Sequence, residues 1–252
     1  RERVQATVIS DFRSADTAAG GSGAPLVPAV DLLLFGAYAP CVALNLGGIA
    51  NLTVVPSGLA FDCGPANLPL DTYVALRSNG ALRRDEGGAL ARAGTRDAAL
   101  LAELSADPYF AAAPPKSTGR EEYGAAFVAA LRPRLDALAL EDALATLAAL
   151  CVRTVAASVR RHAPEARLLI VAGGGVQNAA LLGGLRAALP EVRVSSSAAF
   201  GVDPDAKEAI AFAVLGHQTL HGLPGNLPRA TGARGPRLLG TIAPVGKPPA
   251  WS

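Results

Sequence analysis

The chain has 252 residues, half of them apolar, with 23 basic against 21 acidic side chains and a formal net charge of +2. At about 150 residues per domain this makes one to two domains, enough to bury a core without staples, which excludes a disordered chain or a small disulfide scaffold. Charges of both signs are interspersed, so no basic stripe exists to neutralise a phosphate backbone, and nucleic acid is not expected as a partner.

Cys41, Cys63 and Cys151 are widely spaced, with no CxxC or Cys/His cluster. Neither a disulfide framework nor a protein-held metal site is expected, and a reducing cytoplasm fits. No run reaches the roughly 18 apolar residues of a membrane span, and Arg1-Glu2-Arg3 leads into a strand-like segment, not a signal peptide. With no Met anywhere, including position 1, sequence upstream of Arg1 is expected to be missing.

In chain order, Val4 to Ile9 reads as a strand and Ala18-Ala19-Gly20-Gly21-Ser22-Gly23 as a loop too rich in glycine for an element interior. Pro28 to Phe35 reads as a helix broken at Pro40. Cys41 to Leu46 and Leu52 to Val55 read as two strands around the turn Gly47-Gly48-Ile49-Ala50-Asn51. From Pro65 to about Thr146 the pattern is helical, interrupted at Pro108 and Pro114-Pro115. Leu140, Leu144, Leu147, Cys151, Val155 and Val159 keep a helical period that predicts a long buried helix.

Leu168 to Ala172 is a compact apolar strand that runs into Gly173-Gly174-Gly175, followed by a helix from Asn178 to Leu189 stopped by Pro190. Arg193 to Ser195 is a further strand. Asp203-Pro204 opens a helix to about His221 with the apolar face Ile210, Ala213, Val214 and His217, and the tail beyond is rich in Gly and Pro.

Two glycine turns that follow apolar strands carry the strongest chemical signal. Without Cβ atoms their N–H groups can converge on an anion such as a phosphate, although tight connection alone also explains them. Neither fits the P-loop or the dinucleotide spacing, so a different nucleotide fold is indicated, and an oxidoreductase of the Rossmann type is disfavoured.

Asp62 ends a short apolar segment before Gly64-Pro65. That placement suits a general base and equally a helix-capping or turn aspartate. Glu208, three residues after Asp205, is open to a site role or to a capping box. Arg13 and Asp16 could hydrogen-bond a polyhydroxylated ligand or form a surface ion pair. Lys116 could meet a substrate or precede a helix capped by Ser117 or Thr118. His162, His217 and His221 read as structural.

Ser10-Asp11-Phe12-Arg13, the stretch Ala18 to Pro28, and Leu44-Asn45-Leu46-Gly47-Gly48-Ile49-Ala50-Asn51-Leu52-Thr53 resemble the anhydro-N-acetylmuramic acid kinases. Phe61-Asp62-Cys63-Gly64-Pro65-Ala66-Asn67, Pro115 to Glu121, Gly173 to Asn178, Glu208-Ala209, Gly225-Asn226-Leu227-Pro228 and Thr231-Gly232-Ala233 continue the likeness in order.

The resemblance implies an α/β fold with actin-like ATPase (RNase H-like) domains: a remnant of the first over residues 1–40, the second over 41–200, and a returning helix and tail over 201–252. It implies an ATP- and Mg2+-dependent sugar kinase of the cytoplasm, acting on 1,6-anhydro-N-acetylmuramic acid in cell-wall (peptidoglycan) recycling. Asp62 would be the catalytic base. Gly47, Gly48, Asn51 and Thr53 would bind phosphate, Gly173, Gly174, Gly175 and Asn178 would face adenosine, and Arg13, Asp16 and Glu208 would contact the sugar.

Cys63 and Ala66 depart from the family's usual Thr and Gly, and Ala66 would be strained if its φ were positive. No counterpart of the family's first phosphate loop occurs in the chain. A noncatalytic nucleotide- or sugar-binding module of the same fold is therefore the alternative, and the exposed apolar edges of a first domain without its leading strands predict aggregation or dimerisation, a homodimer being one form.

Overall fold

A computed structural model describes residues 6–245. In chain order its elements are β1 (Val8–Ser10), α1 (Ser14–Ala18), α2 (Val27–Phe35), β2 (Cys41–Leu46), β3 (Ile49–Val55), β4 (Ala60–Pro65) and α3 (Asn67–Arg77). There follow α4 (Ala89–Ala93), α5 (Ala98–Ser105), α6 (Pro108–Ala111), α7 (Arg120–Tyr123), α8 (Ala125–Leu135), α9 (Leu140–His162), β5 (Leu168–Ala172), α10 (Ala179–Ala188) and β6 (Arg193–Ser196). The last elements among the described residues are α11 (Lys207–Leu220), α12 (Pro228–Thr231) and β7 (Thr241–Ala243). It divides into two compact units, one of residues 1–34 with 208–252 and one of residues 35–207.

In the first unit β1 pairs antiparallel with β7, Ile9 facing Ile242. Its small core joins Leu26 and Val30 to Ala211, Leu215 and Leu239, with Phe12 edge-on to Phe212 at 5.4 Å. The predicted strand is shorter than expected, and Val4 and Gln5 lie outside the described residues. The helix expected from Pro204, α11, starts at Lys207, and its inward face is Ala211, Leu215 and Thr219, while Ala213 and His217 are exposed. The glycine- and proline-rich tail nonetheless supplies α12 and β7.

The second unit is a five-stranded sheet in the order β4-β3-β2-β5-β6, antiparallel from β4 to β2 and parallel from β2 to β6. Strand residues alternate between faces. One face presents Val42, Leu44, Leu46, Leu52, Phe61, Leu169, Val171 and Val194 to a core completed by α3, α9 and α10. Leu140 to His162 forms a single helix, long and apolar enough to cross a membrane by length and composition. It is instead the packed centre of this unit, with Leu144, Leu147, Cys151, Val155 and Val159 each at most 1% exposed.

Two expectations for this unit change. The hairpin turn is only Gly47-Gly48, because β3 begins at Ile49, so Asn51 is a strand residue. Gly64-Pro65 do not turn but end β4, which is possible because β4 is an edge strand and loses no ladder bond to proline.

Candidate active site

The second face of the sheet carries the polar residues. Cα pairing sets Asn45 opposite Asn51 and Asn51 opposite Asp62, and directly paired residues share a face. A row Asp62–Asn51–Asn45 therefore crosses three strands, and the parallel pairing of Asn45 with Ala172 carries it to the glycine run. Thr53, two residues beyond Asn51, lies on the same face and is buried.

The row ends between the two glycine turns. A Cβ at Gly47 would lie 3.4 Å from Asn45 Nδ2, and one at Gly173 would lie 2.8 Å from Asn45 Oδ1 and 2.9 Å from Leu46 O. Gly173 also has φ +81°, so two independent constraints require glycine there. Gly175 packs on Leu46 as well. Gly174 meets nothing within 4 Å and faces open space.

The Gly47 carbonyl accepts bonds from Asn67 N and Asn67 Nδ2 at 3.1 and 3.0 Å, and the Gly48 carbonyl accepts from Ala66 N and Leu68 N. The hairpin thus caps the N-terminus of α3, using backbone acceptors where no side chain does so. Ala66 reaches this geometry at φ −126°, so the anticipated strain is absent; Cys63 is buried in the core.

Gly47, Gly48, Gly174, Asn178, Asn67, Asp71, Arg84 and Gln177 line a cleft of about 200 Å³. Asn178 caps α10, accepting from Ala180 N and Leu181 N. Burial raises the Asp71 carboxyl to about 6, with Arg84 opposing the shift and Asp85 reinforcing it. Asp85 and Glu86 line the cleft too, and Glu86 holds the Arg84 guanidinium at 2.8 and 3.0 Å, so the side-chain amides and glycine backbone of the cleft are the groups suited to a nucleotide's hydroxyls and phosphates. Among the described residues no group of three His, Cys, Asp or Glu could hold a metal ion.

Asp62 is half-buried in β4. Its Oδ2 accepts 3.0 Å bonds from Ser117 Oγ and from Thr118 N, and burial raises its pKa against the effect of these two donors, with Glu122 adding to the rise. The expected caps are therefore employed otherwise: α7 begins after Gly119 with no side-chain cap, while Ser117 and Thr118 serve Asp62. Lys116 Nζ donates to Tyr109 O and Phe110 O at 2.9 and 3.3 Å, which occupies it internally. His162 packs edge-on against Phe61.

The three residues expected at the sugar belong to the first unit. Asp16 is fully buried: Oδ1 accepts from Asn226 Nδ2 and Thr231 Oγ1, both at 2.7 Å, and Oδ2 from Gly23 N at 2.9 Å. It braces the glycine loop and pairs with these groups, not with Arg13. Arg13 is exposed at the start of α1, and Glu208 is exposed in the first turn of α11, where Asp205 instead accepts a bond from Gln177.

Asn45, Asn67, Asp71, Arg84, Ser117 and Thr118 enter the site picture only through the structure. Asn45 and Asn67 lie inside the motifs that carried the family likeness, which is the signal that could have found them. Asp71 and Arg84 offered none.

The family model for anhydro-N-acetylmuramic acid kinase matches residues 1–245. The enzyme of that name from Xanthomonas campestris pv. campestris (strain 8004) is 49% identical over 254 residues, covering 97% of this chain and 65% of the relative. That from Cupriavidus pinatubonensis is 50% identical over 94% of this chain and 64% of the relative. The chain thus spans just under two thirds of the length of these curated relatives. Among solved structures, the activator of the 2-hydroxyisocaproyl-CoA dehydratase from Clostridium difficile with bound ADPNP aligns with 73% of this chain and 61% of its own, at 13% identity and a TM-score of 0.39. On the family match and the identity to its relatives, the chain belongs to the anhydro-N-acetylmuramic acid kinase family.

Proposed function

We propose that this chain works as an ATP-dependent kinase of the cytoplasm, with the actin-like ATPase fold, that hydrolyses the 1,6-anhydro bridge of 1,6-anhydro-N-acetylmuramic acid and phosphorylates O6 in cell-wall recycling. The observation that carries this reading is the state of Asp62. Its Oδ2 is held by two neutral donors while Oδ1 has no hydrogen-bond partner among the described residues, and it stands on the polar row leading to both glycine turns.

Asp62 Oδ1 takes a proton from water as the water oxygen bonds to C1 of the sugar; the C1–O6 bond breaks, and O6 attacks the γ-phosphorus as its bond to the β,γ-bridging oxygen breaks and ADP leaves. Bound ATP would supply that phosphoryl group, and Mg2+ would be held chiefly through the phosphates, where it would neutralise their charge. Gly47, Gly48, Asn51 and Thr53 would approach the phosphates. Gly173, Gly174, Gly175 and Asn178 would shape the adenosine side. Arg13 and Glu208 are the candidates for sugar contact, with Asp16 fixing the loop that follows Arg13.

The test is incubation with ATP, Mg2+ and the anhydro sugar in H2(18)O, with the full-length Xanthomonas relative run alongside. ADP and N-acetylmuramic acid 6-phosphate in equal amounts, labelled at C1, are expected. Binding of nucleotide or sugar without product would support a noncatalytic module instead, and neither binding nor product would contradict the proposal.

A further inference from the structure

β4 is an edge strand, so alternate residues turn unpaired backbone groups away from the sheet. At Asp62 these groups are not left to water. Its N–H donates to Lys116 O at 3.2 Å, and its carbonyl accepts from Tyr109 Oη at 2.8 Å. With the bonds from Ser117 Oγ and Thr118 N, the segment 109–118 makes four hydrogen bonds to this residue.

That segment is itself anchored. The Lys116 ammonium, bonded to Tyr109 O and Phe110 O, lies 4.6 Å from the Tyr109 ring centroid and 5.7 Å from that of Phe61, the chain neighbour of Asp62. Such contacts with ring faces and carbonyls keep the ammonium away from the carboxylate.

We propose that Lys116, Ser117 and Thr118 are positioning residues for Asp62: Lys116 pins the segment beside β4, so that Ser117 Oγ and Thr118 N fix Oδ2 and leave Oδ1 as the atom that receives the proton. This rests on the reading of Asp62 as the base. Two neutral donors orient a carboxylate without the deep stabilisation of its ionised form that a contacting ammonium would bring, and burial keeps its proton affinity raised. Removing the hydroxyl of Ser117 loses a bond made to the charged form, so the pKa of Asp62 must rise further.

The test is a carboxyl 13C titration of Asp62 in the 252-residue chain and in its S117A and S117T variants, with kcat and KM measured on the same proteins. Ser117 is exposed, so both variants should fold. Ser117→Ala is expected to raise the pKa of Asp62 by roughly half a unit to one unit, the size of one modest hydrogen bond. It should lower kcat about tenfold, leave KM for the sugar within twofold, and be reversed in both respects by Ser117→Thr. An Asp62 pKa unmoved by Ser117→Ala, or a loss that Ser117→Thr fails to restore, would overturn the proposal. Failure of the base reading shows separately, as activity surviving Asp62→Asn, while the titration still reports on the clamp.

Discussion

Asn45 and Gly173 meet where the polar row of the sheet reaches the glycine run: a methyl group on Gly173 would come within 2.8 Å of Asn45 Oδ1. The residue after β5 must thus be glycine both for space and for its φ of +81°. Its neighbour Gly174 meets neither constraint. Gly173→Ala is expected to cost roughly 2–3 kcal/mol of stability and to weaken binding of an ATP analogue, whereas Gly174→Ala should stay within about 0.5 kcal/mol of the parent. Urea unfolding of the two variants checks this; equal losses would contradict it.

Asp71 gives the cleft a pH dependence. Its folded pKa of about 6 lies above the ordinary carboxylate value, chiefly through burial, so the folded state holds this proton more tightly than the unfolded state does. The stabilisation that follows is complete at low pH and fades as pH rises through about 6, where the half-buried group must ionise. Asp71→Asn, which mimics the neutral form, should match the parent near pH 4 and be the more stable protein at pH 7.5. Solvent and Arg84 keep the difference small. Urea midpoints at the two pH values decide, and a pH-independent difference would count against this reading.

Asp16 binds three internal donors with no exposed surface of its own. Asp16→Ala strands one N–H of the Asn226 amide, which keeps its bond to Gly235 O, together with the hydroxyl of Thr231 and the N–H of Gly23, and should cost roughly 3 kcal/mol. Asp16→Asn, which keeps one acceptor, should fall between. Chemical denaturation measures both, and an Asp16→Ala variant as stable as the parent would refute the bracing role.

The buried thiols offer a further check. Cys63 and Cys151 are each 1% exposed, and burial pushes the Cys63 thiol up to about 12 and Cys151 upward as well. Neither should react with a disulfide reagent in the native protein, and both should react rapidly in urea. Fast native labelling of Cys63 would show that β4 opens readily.

β2, β5, α9 and α10 were legible in the sequence because each is a clean apolar run or period punctuated by Gly or Pro, with Asn178 as a true cap. β4 was not, since Asp62-Cys63-Gly64-Pro65 has turn chemistry that only an edge position tolerates. Asp62 and the glycine turns stood out as chemistry-bearing residues, but their common face did not, because it is set by register between strands. Ser117 meets Asp62 across 55 positions and Asn226 meets Asp16 across 210, pairings that no local rule encodes.

The proton-accepting role of Asp62 is tested most directly by Asp62→Asn, which keeps the shape of the side chain and removes its basicity. With the fold checked by its thermal midpoint, the variant should lose on the order of 10²–10⁴-fold in kcat for formation of the 6-phosphate, the usual worth of a general base, with KM for ATP little changed. An Asp62→Asn protein that forms the product at the parent rate would contradict that role.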